Sequence, residues 1–213
     1  MTPETGAGSD ARETARLEAF SDGVLSIAIT LLVLELRVPR VATQADLGHR
    51  LLELWPSYAA YFTSFATIGV IWLNHHLLFR LIARVDATLL ALNGLVLLTA
   101  SVLPFPTALL AGYLGQPGEK LAAIVYSATF LAITIAFNLL WLYASSPSRR
   151  KPLLRHGPDH PAVREVHRRY RLGPASSLVA LCVAPFSPPA MLAITFGLVV
   201  FFALPHPVHE SAS

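Results

Sequence analysis

Asp22 and Glu35 stand at the two ends of an apolar run, Gly23 to Leu34. A carboxylate at membrane depth is costly, so it marks a functional position or one with an inward-facing partner. Asp22 reads as a satisfied structural carboxylate. Groups able to pair with it stand at Arg16, Ser21, Trp72, His75, His76 and Asn93. Arg16 does not share a helix face with Asp22, so the partners are expected on other helices or other subunits. Glu35 can raise the cation concentration at a pore mouth, or it can pair with Arg37 or Arg40; both readings stand. His75 and His76 are adjacent and point about 100° apart on a helix, so they cannot readily share one metal ion. No HExxH pattern accompanies them, and hydrogen bonding at a helix end is their expected role. Cys182 is the single cysteine, which excludes an internal disulfide framework; packing is expected of it. Serines and aspartates occur without a nucleophile elbow. No enzyme activity, cofactor or metal site is expected.

These residues sit in a chain with a membrane protein's composition. Of 213 residues, 54% are hydrophobic and 14% charged, and the mean hydropathy is +0.55. A soluble domain is about 25% charged. Disorder is excluded as well, because it needs few hydrophobic residues and a high net charge. The length suits six helices of ~20 residues with short connections. The run Gly23 to Leu34 rises only about 18 Å, too little for a hydrocarbon core of ~30 Å. Its helix is therefore expected to extend over Thr14 to Val38 and to stop at Pro39. Five further spans are expected: Leu54 to His76, Ala87 to Tyr113, Leu121 to Tyr143, Leu172 to Phe186, and Pro189 to Leu204. The third span carries a Pro104-Phe105-Pro106-Thr107 break. The last two meet at Ser187-Pro188-Pro189 as a hairpin, whose first helix can start earlier, in the basic stretch. The fold class is an all-α membrane protein with six transmembrane helices and no internal repeat. Residues 1–15 are expected to be a disordered cytoplasmic tail, 16–204 one membrane domain with a basic loop at 145–171, and 205–213 a second cytoplasmic tail.

The basic residues give an orientation. With the N-terminus inside, twelve of the 16 Lys and Arg residues fall in cytoplasmic segments, and Arg37, Arg40, Arg50 and Lys120 fall outside. That bias follows the positive-inside rule and puts both termini in the cytoplasm. The 149–171 stretch then anchors topology and meets anionic lipid head groups. Nucleic acid is not an expected partner, because interleaved aromatic residues are lacking apart from Tyr170. Arginine far outnumbers lysine, and Ala, Leu and Pro are abundant, which suggests a GC-rich bacterial genome, so the expected location is a bacterial cell (inner) membrane.

On a helical wheel with Ile27 at 0°, Thr30, Gly23, Leu34 and Leu31 fall within about 60° of it, while Asp22 and Ser26 fall at about 220° and 260°. The first helix thus has an apolar stripe and a separate polar patch. The stripe can pack against lipid, against a neighbouring helix, or around a pore.

The segment Arg16-Leu17-Glu18-Ala19-Phe20-Ser21-Asp22 resembles the RxxxFSD signature of the transmembrane protein 175 family of potassium channels. Ser64-Phe65 with Trp72-Leu73-Asn74-His75-His76 resembles that family's second-helix motif. Asn93, Leu97 and Leu103-Pro104-Phe105-Pro106-Thr107 resemble its third. The resemblance covers roughly residues 16–110. It implies a homotetramer whose central pore is lined by the first helix of each subunit. It implies a constriction at Ile27, Leu31 and Leu34, with Thr30 as a polar layer. It also implies structural motif roles for Arg16, Phe20, Ser21, Asp22, Trp72, His75, His76 and Asn93. No TVGYG-type filter is present. The expected function is a modestly potassium-selective cation channel, with potassium ions, further copies of the chain and membrane lipids as partners. The alternatives are a secondary transporter or a proton-permeable membrane protein.

Overall fold

A computed structural model describes residues 4–36, 38–39, 44–146 and 152–204, and every regular element among them is helical. The first helix, α1, runs Glu4–Leu31 and tightens into a 3-10 turn, Leu32–Glu35. Leu36 is extended. The helix thus starts well before Thr14 and stops short of Val38. Its early start suits a segment rich in Glu, Ala and Arg, all good helix formers. Asp10 also ties this end to the rest of the fold, with its Oδ2 2.9 Å from Nε of Arg84. Arg37, Arg40, Arg149, Arg150, Lys151 and the expected 205–213 tail lie outside the described residues.

An amphipathic helix, α2 (Gln44–Glu53), has no counterpart among the expected spans. It is too short to cross a membrane, and its Glu53 holds both His49 (3.1 Å) and Arg50 (2.8 Å). The helix α3, Trp55–Leu81, starts with Pro56 in its first turn, where a missing N–H costs nothing. It continues past His76 by more than a turn. The Ala87–Tyr113 stretch divides at the expected proline break into α4, Ala87–Ser101, and α5, Pro104–Tyr113. After a turn closed by Gly118 at φ 102°, a left-handed conformation suited to glycine, α6 runs Glu119–Ala144. The final pair is α7, Pro161–Val183, and α8, Pro188–Ala203. Ser187 caps α8 by accepting from the N–H of Ala190. Among the described residues, three stretches are long and apolar enough to cross a membrane: Asp10–Glu35, Ala87–Tyr113 and Glu119–Ala144. Pro188–Ala203 is a shorter apolar helix.

Three polar devices lock the helices together. At the first, α6 packs against α4, α5 and α7. There the hydroxyl of Thr107 (α5) lies 2.7 Å from that of Ser64 (α3), which lies 3.1 Å from the fully buried Tyr126 hydroxyl (α6). The second answers a defect. Pro174 lies inside α7, and a proline in a helix leaves the carbonyl four residues earlier without its usual donor. That carbonyl belongs to Tyr170, and Asn138 Nδ2 of α6 donates to it. The third is a strap beneath the helices. The N–H of Ala83 donates to Leu153 O (2.7 Å), and the N–H of Arg155 donates to Leu81 O (2.8 Å). Leu153 is buried.

Candidate ion pathway and its supporting cluster

The two sides of α1 have opposite environments. Leu17, Ser21, Leu25, Ala28 and Leu32 are buried against the rest of the chain, and they share an arc of about 80° on the wheel. Ser21 and Ala28 are small and let neighbouring backbones approach, as interfaces within membranes require. The stripe on the other side is bare. Ile27 is 62% exposed, Leu31 42% and Leu34 72%, and Gly23 and Thr30 are exposed with them. Arg16 and Phe20 continue the same face toward the N-terminus, and both are exposed. Thr30 turns its hydroxyl hydrogen back to the carbonyls of Ile27 (2.9 Å) and Ser26 (3.0 Å). The Thr30 side chain is exposed, and its Oγ1 keeps acceptor lone pairs. Glu35, just beyond, is half-buried.

Between these faces lies a ladder of two rungs. Glu18 and Asp22 are one turn apart on α1, and Trp72 and His76 are one turn apart on α3. The indole N–H of Trp72 donates to Asp22 Oδ1 at 3.0 Å. Nδ1 of His76 stands 2.6 Å from Glu18 Oε1. The Trp72 and His76 rings stack at 6.2 Å between centroids. Asp22 therefore has an in-chain partner, and among the groups able to serve it is Trp72.

A second chain of bonds runs deeper. Oδ1 of Asn93 (α4) lies 2.8 Å from His75 Nε2, and Asn93 Nδ2 donates to Ser21 Oγ at 2.9 Å. Ser21 in turn donates to Leu17 O at 2.8 Å. Asn93 Oδ1 can only accept, so His75 carries its proton on Nε2. His75, Asn93 and Ser21 are all buried, and the His75 ring stacks on Phe79 at 4.3 Å. The two histidines thus serve different partners, Asn93 and Glu18. Among the described residues, no group of three or more His, Cys, Asp or Glu side chains gathers where it could hold a metal ion. Sequence reasoning brought Asp22, Trp72, His75, His76, Asn93 and Ser21 to attention but missed Glu18. Its one-turn spacing from Asp22, matched by that of Trp72 and His76, was the available signal.

Residues 16–104 match the family described as endosomal/lysosomal potassium channel TMEM175. A protein named potassium channel from Chamaesiphon minutus is 47% identical over 90% of this chain and 94% of its own length. The chain belongs to the TMEM175 family. Its fold also matches the crystal structure of a lysosomal potassium-selective channel TMEM175 homolog from Chamaesiphon minutus. The TM-score is 0.81 at 45% identity, covering 90% of this chain and 97% of that one. The human protein named endosomal/lysosomal proton channel TMEM175 is 33% identical over 61% of this chain and 27% of its own length. The stretch matching the TMEM175 family contains the bare stripe of α1, both rungs of the ladder and the buried chain from His75 to Ser21. TMEM175 membership and the apolar helices together make this a membrane protein.

Proposed function

We propose that the protein is a modestly potassium-selective cation channel of a bacterial cell membrane. It acts as a homotetramer of six-helix subunits with both termini in the cytoplasm. Four copies of α1 surround the axis, and rings of Ile27, Leu31 and Leu34 form an apolar constriction. The observation that carries this reading is the bare apolar stripe of α1, opposite a face fully used by the chain's own fold. Its close relatives are named potassium channels.

The constriction gates by dewetting when narrow. Widening admits a largely dehydrated cation, and potassium sheds its water at lower cost than sodium. Thr30 supplies a ring of hydroxyl oxygens whose hydrogens are turned back into the helix. Glu35 raises the cation concentration at the outer mouth. Glu18–His76 and Asp22–Trp72 set the tilt of α1 against α3 and stay off the ion path.

The test is flux from potassium-loaded liposomes. Wild-type protein is expected to release potassium faster than sodium, and Ile27→Asn to raise flux and reduce the preference. Flux no greater than from empty vesicles contradicts the channel. The human relative's name makes protons a second candidate permeant. Acidification that tracks protein content with no potassium flux favours that reading instead.

A further inference from the structure

The face of α7 that turns away from the core changes character along its length. Arg164, His167, Arg168 and Arg171 recur over an arc of about 100° on the wheel. They line a groove of about 770 Å³, closed on its other side by Ser145 at the end of α6 and by Pro158. None of the described residues lining it is acidic. Glu165 pairs with Arg168 (2.9 Å) and Arg169 (3.7 Å), leaving the three groove arginines in excess over one carboxylate. Arg169 turns to α8, donating to the carbonyls of Phe201 (3.4 Å) and Leu204 (3.0 Å). Arg164, Arg168 and Arg171 are all exposed.

Further along the same helix face stand Ala175, Leu178, Val179 and Cys182, also exposed. Leu178 is 50% and Val179 54% exposed. The arginines occupy about 10 Å of helix rise, enough to span the polar zone of one leaflet, about 5–7 Å. A soluble anion would use only the arginines. An amphiphile with an anionic head and apolar tails uses both halves of the face.

We propose that this groove binds the phosphate head group of an anionic phospholipid, whose acyl chains lie along Leu178 and Val179. The inference rests on the topology given under Proposed function, with the basic end of α7 at the cytoplasmic surface.

The experiment measures lipid retained by the purified, intact protein by native mass spectrometry. The protein is first equilibrated with equimolar phosphatidylglycerol and phosphatidylcholine. Wild type is expected to retain phosphatidylglycerol preferentially. The R164Q/R168Q/R171Q variant should lose that preference by about a hundredfold, since each basic residue near an anionic surface contributes about fivefold. Single variants Arg164→Gln and Arg171→Gln should lose about fivefold each, which keeps the test readable if the triple variant fails to fold. R164K/R168K/R171K should keep most of the preference. An equal loss in R50Q/K120Q overturns the proposal in favour of net charge. Displacement of the lipid by inorganic phosphate overturns it in favour of a soluble-anion site. Equal retention of both lipids by wild type overturns it outright. Because the readout is lipid retention, absent ion flux with preference intact counts only against the channel, and lost preference with intact flux counts only against this site.

Discussion

Thr30 shows how one side chain can serve a helix and an ion at once. Its hydrogen bonds back to Ile27 and Ser26 satisfy the hydroxyl donor inside α1, while the exposed oxygen keeps acceptor lone pairs. Thr30→Val keeps the shape and removes those lone pairs. It is expected to leave folding unchanged and to lower potassium preference by about fivefold, the weight of one modest oxygen contact, read as the shift in reversal potential under a potassium–sodium gradient. Asp22 is different, because its Oδ1 accepts from Trp72 at a position where a bare charge is expensive. Trp72→Phe removes the donor and should destabilise the protein by about 1–3 kcal/mol, seen as a lower thermal midpoint in detergent. Asp22→Ala is expected to lose the tetramer on a sizing column; an unchanged elution profile with unchanged flux would remove the clamp role. Which residues of α1 share a face was legible in the sequence, because the helical period fixes it; that this face stays bare was not. The partner of Asp22 was not. That choice depends on the register between α1 and α3, and no periodicity encodes it.

At the scale of elements, the proline positions mark where helices break but not how the broken ends are repaired. The Pro104–Pro106 break divides α4 from α5 where expected. Pro174 breaks no helix, because Asn138 takes over the carbonyl that the proline leaves without a donor. Asn138→Leu is expected to destabilise the protein by about 1–3 kcal/mol through an unsatisfied buried carbonyl. Pro174→Ala in the Asn138→Leu background should recover part of that loss, since alanine restores the N–H. Equal thermal midpoints for the single and double variants would contradict this repair. The span Leu121 to Tyr143 was readable almost to its ends, because it is continuously apolar and bounded by a glycine turn. The start of α7 within the basic stretch was allowed for, but the early start of α1 was not, because its polar first turns are held by tertiary contacts such as Asp10–Arg84. The amphipathic α2 was hidden by its charge, which reads equally well as loop.

For the molecule as a whole, the bare stripe of α1 and the basic face of α7 are two surfaces that the chain does not bury itself. The proposed assembly assigns the first to other copies of the chain around an ion path, and the second to lipid. Composition pointed to a membrane protein, yet it could not separate a pore-facing stripe from a lipid-facing one, since both are apolar. That distinction is the central claim, and silver block of single-cysteine variants tests it most directly. In a Cys182→Ser background, Ile27→Cys and Leu34→Cys are expected to give potassium currents that silver ions block. Leu98→Cys, on an α4 position that is 61% exposed, should give currents that silver leaves unchanged. Block at Leu98→Cys with Ile27→Cys untouched would contradict the account.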